Sequence, residues 1–580
     1  MAPITPHVHP ADVVQPEQGW ELQEKKKNGQ TKPADATAET CFRPSSFEEV
    51  WDRIGNLGRW QQKIYALIMS VQFWNALYNM AVVFFNVTPE YHCATPDVRS
   101  LEPWMRENVR NKSYIDHCHI RDFDYGMLVD GNFSITEWPL LSNQSVECER
   151  FHFETDGPMA HTMVSQFSLV CDRKLGTAHA QMIFTAGFFF GAFVAGFIAD
   201  LFGRKWTIVG FNILTVLIGA SHSYVTNWPL FLVLRFALAF SIIPIWKATF
   251  TLTMEVTAVK NRTWIGGLFW VPYMAGYSLL PLFAWWLRDW RLVHIVPAVP
   301  LVPSILLFAC FCPESVRWLL AKGRTEEAER EIQKAAAENG REWPKNHSFD
   351  KIIQEAQKES ERRITIVALA RRNEETRKFR HLKLIFVTLA LFFLWLVIAM
   401  VYYGVTLNVT KFAGNIFINN AIASLIKIPA KALCVPLMYL GRRKALAIAL
   451  TTSGLCLLAV PWIPEETLNS IRITFAMIGL FAMTASFGVI YVATSEQYPT
   501  VLRASGLAVC SSVGRIGSML APYIADIDKV LGQEKAYLTM IIFGAFAIAA
   551  ALVSLTLPET KNRPLKEFLE DDSETATNGT

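Results

Sequence analysis

Four of the chain's cations stand deep where cations are costly. Arg515, Lys431, Lys427 and Lys247 fall inside long apolar runs. A charge at mid-bilayer costs about 2.5–3.5 kcal/mol even on the lenient insertion scale, so such groups normally face a watery path. With a helical rise of about 1.5 Å per residue, Arg515 lies about 16 Å beyond Ala504, where its run begins. Lys431 lies about 14 Å from the end of its span at the turn, near Leu440, and Lys247 about 12 Å from Glu255. Lys427 sits one helical turn deeper than Lys431 on the same face. Arg515, Lys431 and Lys247 therefore converge near half the hydrocarbon thickness. The acids within or at the ends of the runs are Asp200, Glu255, Glu496 and Asp526, all close to an interface. Cations at one depth without a matching acid can hold an anionic ligand. The ammoniums act as point charges, and the guanidinium grips a carboxylate with two parallel hydrogen bonds.

The elements that position them are membrane spans. The chain has 580 residues, 52% hydrophobic and only 18% charged. Apolar residues come in twelve runs of about twenty, the length that crosses a bilayer as helix. These are 64–87, 178–199, 206–224, 228–252, 264–287, 292–312, 383–405, 413–437, 445–463, 470–494, 505–526 and 535–557. The net charge of +4 is small and concentrated in loops, which argues against nucleic acid. No phosphate loop, metal-ligand constellation or nucleophile–base pair is present, so neither an enzyme nor a cofactor or metal is expected. Residues 1–46 are polar and read as a disordered cytosolic tail without a cleavable signal. Over 47–62, Phe47, Val50, Trp51, Ile54 and Leu57 share one helical face. That suits a surface helix, lying on the membrane or packed on a cytosolic loop, ahead of a first span at 63–87.

The segment 88–176 is long and polar and holds Cys93, Cys118, Cys148 and Cys171 with sequons at Asn111, Asn132 and Asn143. Cysteines and glycan acceptors together indicate an oxidising, extracellular compartment and two disulfides, with all three pairings open. Spans two to six occupy 177–312. The loop 313–382 carries sixteen Lys and Arg, which places it and both termini in the cytoplasm. Within it, 324–340 reads as a charged helix. Spans seven to twelve fill 383–557, and 558–580 is a cytosolic tail.

Between spans two and three runs Gly196-x-x-x-Asp200-x-x-Gly203-Arg204-Lys205, where Gly203 permits a tight turn. A near-copy, Gly441-Arg442-Arg443-Lys444, follows span eight. Glu255-x6-Arg262 likewise answers to Glu496-x6-Arg503, and Pro313-Glu314-Ser315 to Pro558-Glu559-Thr560. The offsets cluster near about 240 residues, as two six-helix halves related by duplication require. These turns resemble the signature of the major facilitator superfamily of secondary transporters. The resemblance implies an all-α membrane protein of twelve transmembrane helices, with a mid-membrane site between the halves and cytoplasmic latches at the turns. Asp200 is expected to face the start of span eleven. Met438 stands where the second turn would carry the matching acid, so the second latch should be weaker.

The long cysteine-bearing first loop, Phe167-x-Leu169-Val170-Cys171 and Pro313-Glu314-Ser315-x-Arg317-Trp318 resemble the organic cation, organic anion and carnitine transporter family, over about residues 47–565. In that family the Arg515 position is acidic in typical cation carriers and basic in anion and carnitine carriers. Ile428-Pro429-Ala430-Lys431 is similar to the anion carriers, whereas Lys427 and Lys247 depart from the family pattern. Asn79, Trp246, Tyr273, Trp395, Tyr402, Tyr403, Phe487 and Tyr491 match its polar or aromatic cavity positions. A cage of rings with a few donors suits a flat organic body whose carboxylate is held by cations. The expectation is a monomeric plasma-membrane carrier of small organic ions, favouring anions or zwitterions, with a counter-ion or exchanged carboxylate as partner. A cation carrier using the aromatic cage and a receptor-like protein that has lost transport are the alternatives.

Overall fold

The computed structural model describes residues 47–94, 115–123, 140–344, 348–353 and 377–561, apart from 413, 499, 533, 534 and 536, together with Phe42 and Pro44. Asn111 and Asn132 lie outside the described residues, and Asn143 falls in a strand whose side chain there is not described.

Twelve helices are long and apolar enough to cross a membrane. The first six are Arg59–Phe85, Cys171–Phe202, Arg204–Tyr224, Trp228–Glu255, Val259–Leu287 and Trp290–Phe311. The second six are Ile385–Asn408, Ile416–Met438, Arg442–Trp462, Thr467–Gln497, Ser505–Leu531 and Tyr537–Ser554. Three of the breaks within them fall where proline removes a donor. Pro272, Pro300 and Pro429 cannot bond the carbonyls four residues back, at Leu268, Val296 and Leu425. The helices accordingly part after Leu268, Ile295 and Leu425. The last break makes Lys427 the first residue of a new helical segment.

The halves repeat their packing. The first span lies along the fifth as the seventh lies along the eleventh, and the third packs on the fourth as the ninth packs on the tenth. Glycine allows the closest of these approaches. A Cβ at Gly276 would overlap the Phe73 carbonyl, and one at Gly517 the Leu396 carbonyl. Each half has its own core, around Phe184, Leu238 and Ile242 in one and Leu394, Leu446 and Phe543 in the other. Between halves, the second span meets the eleventh and the fifth meets the eighth.

The helix expected over 47–62 closes sooner, at Ile54, because Gly55 turns with φ +95°. Residues from Arg59 belong to the first span, which thus starts ahead of 63 and ends at Phe85. Val50, Trp51 and Ile54 are fully buried, and Phe47 packs beside them. They rest on the helix Thr325–Glu338, whose Ala328, Ile332, Ala335 and Ala336 supply the opposing face. Asn339 fastens the joint, accepting from Trp60 N at 3.0 Å and donating to Ile54 O at 2.8 Å. Of the two placements open for this helix, packing on the loop is the one observed.

The first loop contains short strands. β1 (Tyr91–Cys93) pairs antiparallel with β4 (Phe151–Phe153), and β2 (His119–Phe123) with β3 (Leu140–Glu147). Cys93 joins Cys148, and Cys118 joins Cys171. Those bonds choose one of the three open pairings. This side of the molecule is the loop end below, and the side bearing Gly203 and Gly441 is the turn end.

Candidate functional site

At the turn end, two homologous relays form. Gly203 and Gly441 adopt φ +90° and +110°, and each starts a helix whose first amides point at a carboxylate. Glu314 accepts from Arg204 N at 2.8 Å and from Lys205 N at 3.1 Å. Glu559 accepts from Arg442 N at 2.8 Å and Arg443 N at 3.2 Å. The Arg204 guanidinium grips Glu255 with Nε and Nη2 at 3.1 and 3.0 Å. Arg442 pairs with Glu496 in the same place, but its Nε and Nη2 both donate to one oxygen, Oε1, at 3.1 and 2.8 Å, while Thr560 donates to Oε2 at 2.6 Å. Asp200 accepts from Arg204 Nη1 at 3.0 Å and is otherwise open to solvent, its side chain 75% exposed. At the matching place, the Met438 carbonyl accepts from Arg442 Nη1 at 3.4 Å. Burial pushes the Glu314 carboxyl above its usual range. The same penalty on Glu559 is outweighed by four backbone amides, which hold it below that range.

Arg262 does not act as one unit with Glu255. It donates to Thr257 O and pairs with Glu48, tying the helix Phe47–Ile54 to the fifth span. Glu496 binds Arg442, and Arg503 Nη2 is buried with no partner among the described residues.

Midway along the spans, the second half presents a continuous run of rings. Trp395 stands 4.6 Å from Tyr491 and 6.0 Å from Phe487, with its Nε1 donating to Thr494 at 2.9 Å. Tyr402 lies 5.3 Å from Phe487 and 5.1 Å from Tyr403. The first half answers with Trp246, 5.4 Å from Tyr273 and 5.6 Å from Phe188. Asn79 donates to the Tyr273 hydroxyl, and Trp246 Nε1 is buried without a partner among the described residues.

The cations occupy this aromatic surface differently from one another. Arg515, half-buried, crosses to the first half and lies 5.5 Å from the centre of the Phe188 ring. Lys247, exposed, donates to Ala192 O at 2.7 Å on the same second span and feels the charge of Arg515. Lys431 lies 5.7 Å from the centre of Phe487. Lys427 does not join them in the open space. It is 1% exposed, sealed by the faces of Tyr277 and Tyr402 at 4.9 and 4.6 Å and bonded to Thr406 at 3.2 Å. Lys427 and Lys431 share the helical segment Lys427–Met438 at the expected spacing, and what sets Lys427 apart is the cover of Tyr402 and of Tyr277, which comes from the other half.

Residues 152–571 match the sugar (and other) transporter family. The chain is 31% identical to the organic cation transporter protein of Drosophila melanogaster over 540 residues, 90% of this chain and 94% of that one. It is 30% identical to the organic cation/carnitine transporter 2 of Homo sapiens, covering 90% and 93%. It is also 30% identical to the organic anion transporter 3 of Oryctolagus cuniculus, covering 91% and 93%. The chain belongs to the organic cation, organic anion and carnitine transporter family of the major facilitator superfamily. It is a multi-pass membrane transporter of small organic ions, not an enzyme. The fold agrees. The xylose transporter XylE from E. coli, in a partially occluded inward open conformation, superposes with TM-score 0.55 at 14% identity, over 87% of this chain and all of that one.

The structure brings further residues to the candidate site in this family member. Phe188, Trp270, Tyr277 and Thr406 touch the cations or the rings. Phe188 stands in a run of three phenylalanines, whose spacing cannot show which ring turns inward.

Proposed function

We propose that this transporter carries small organic anions, or zwitterions bearing a carboxylate, by alternating access. One observation carries the reading: Arg515 and Lys247, from opposite halves, approach the same stretch of the second span with no carboxylate opposing them among the described residues. A ligand carboxylate would relieve both, bidentate at the guanidinium. The ring cluster favours the cation reading in general, since ring faces attract cations. Here, however, Lys431 already stands over Phe487 and Arg515 over Phe188.

The sixteen cations of loop 313–382 support a cytoplasmic turn end. Among the described residues, hydrogen bonds between the halves lie at the loop end or between it and the midpoint, at Thr177–Asp526, Thr177–Lys529 and Tyr277–Asn420. The conformation is therefore inward-facing, with the plasma membrane as the expected home and glycan on the loop. Uptake into vesicles of a labelled anion, cation and zwitterion tests the proposal. Carboxylate-bearing compounds should be carried, and efficient uptake of simple cations alone would overturn it.

A further inference from the structure

A second group of cationic and donor side chains lies in the first half, away from the ring cluster, on the fourth, third, sixth and first spans. Arg235 stands about 10 Å into the fourth span, counted from Trp228 at the helical rise. It is fully buried, with 0% exposure. Its Nε and Nη1 have no partner among the described residues, and Nη2 reaches only Gln181 Oε1, at 3.5 Å. Ring faces hold the guanidinium from the sides, Phe184 at 4.4 Å and Phe85 at 5.8 Å.

Beside it stand two buried histidines, His222 and His294, their ring centres 4.8 Å apart and both close enough to Arg235 to feel its charge. Both ring nitrogens of His222 lack partners, as does His294 Nε2. The Tyr78 hydroxyl, on a ring 4.9 Å from His294, is also buried and unpartnered.

An arginine keeps its charge in a protein, and an uncompensated buried charge is the costliest defect a membrane span can carry. The face of a ring offsets part of that cost but accepts no hydrogen bond in the guanidinium plane. Unpartnered N–H groups of Arg235, one N–H of His222 and the Tyr78 O–H outnumber the lone pairs near them. The surplus is of donors and of positive charge, which a single small acceptor of charge −1 would balance. Gln181 supplies a way in, because it also lines the small cleft between the halves with Asn79, Phe188 and Tyr403.

We propose that Arg235, His222, His294 and Tyr78 form a binding site for a small monovalent anion of the halide class, distinct from the place where Arg515 awaits its ligand. The test uses the full chain purified in detergent in sodium gluconate, titrated with sodium chloride at constant ionic strength while the thermal midpoint is read. Wild type should show a saturable rise, and Arg515→Ala should keep it. Arg235→Gln should abolish it, and His222→Phe, which retains ring bulk, should weaken the apparent affinity by about tenfold, as loss of one hydrogen bond to a charge would. Should Arg235→Gln fail to fold, His222→Phe decides. In bromide, an anomalous peak within hydrogen-bonding distance of Arg235 is expected. A flat titration, a rise unchanged in His222→Phe, a rise lost in Arg515→Ala, or density at Arg235 without anomalous signal would each overturn the proposal, the last by making the occupant water.

Discussion

Thr177 Oγ1, near the start of the second span, donates a 2.9 Å hydrogen bond to Asp526 Oδ2, 349 residues later near the end of the eleventh. Lys529 Nζ bonds both, at 2.9 and 3.1 Å, and Lys411 pairs with Asp526 Oδ1 at 3.0 Å. One carboxylate thereby joins the two halves at the loop end, buried and bonded by Thr177, Lys529 and Lys411. Removing its charge should loosen that closure. Asp526→Asn is expected to move the open-to-closed ratio at this end by about tenfold, the scale of a hydrogen bond to a charged group. Labelling of cysteines placed below Thr177, from the loop side, should rise accordingly. Labelling equal to the parent would show that the closure rests on packing alone.

The turn-end glycines are required twice over, by φ and by the carboxylate against them. A side chain at either position meets the left-handed penalty of about 1–2 kcal/mol. A Cβ at Gly203 would also overlap Glu314, and one at Gly441 would stand 2.6 Å from Glu559 Oε2. Gly203→Ala and Gly441→Ala should each lower the thermal midpoint, and the double variant should lower it additively, since the two turns share no partner.

Asp200 is a different case. Its pair with Arg204 is exposed, so Asp200→Asn should change the stability of this conformation by no more than about 1 kcal/mol. The start of the eleventh span, its expected partner, does not bond it in this conformation among the described residues, and the expectation places that contact in the outward-facing state. The variant should therefore favour the inward-facing population and slow turnover while melting like the parent. Unchanged turnover and unchanged labelling from the turn side would remove Asp200 from the gate.

The turns, the duplication and the twelve spans were legible because each is written in local residue types: a glycine, an Arg-Lys pair, twenty apolar residues. Glu314 and Glu559 were legible as a repeated motif, but not as acceptors for the amides of Arg204 and Arg442, since that contact spans more than a hundred residues. Lys427 shows the limit most clearly. Helical spacing rightly placed it one turn from Lys431 on one helix, but could not show that the face of Tyr277, from the other half, closes over it and keeps it from the open space. The Arg235 cluster left no mark in the sequence beyond one cation in an apolar run, because its partners come from four different spans.

The two relays should also separate in pH. Glu314 titrates above its ordinary value, so it takes up its proton first as the turn side is acidified, and the bonds from the Arg204 and Lys205 amides weaken as the charge is lost. Glu559 is held below its ordinary value. Its stabilisation is complete above the unfolded pKa, about 4.3, and is lost only as pH falls through the depressed folded value. Amide protection factors at 204 and 205 should thus fall at a higher pH than those at 442 and 443. Glu314→Gln should show the low-pH pattern at neutral pH, and simultaneous loss at both turns would contradict the assignment.

The charge of the substrate is tested at Arg515 and Lys431. They stand on different spans of the second half, each over a ring, and neither meets a carboxylate among the described residues. Arg515→Ala and Lys431→Ala are each expected to cut transport of carboxylate-bearing substrates by at least about tenfold, roughly 1.4 kcal/mol of lost interaction. Arg515→Lys should recover only part of this, because a point charge cannot reproduce the two-pronged grip. Lys427→Met should do less harm than Lys431→Ala, since Lys427 is sealed under Tyr277 and Tyr402 and a buried cation is replaced by an apolar stem of similar length. Arg515→Asp should weaken anion uptake further and admit cations to the same ring-lined space. Wild type that carries simple cations well, ignores carboxylates and is indifferent to Arg515→Ala would reverse the assignment of charge, leaving the family and the fold untouched.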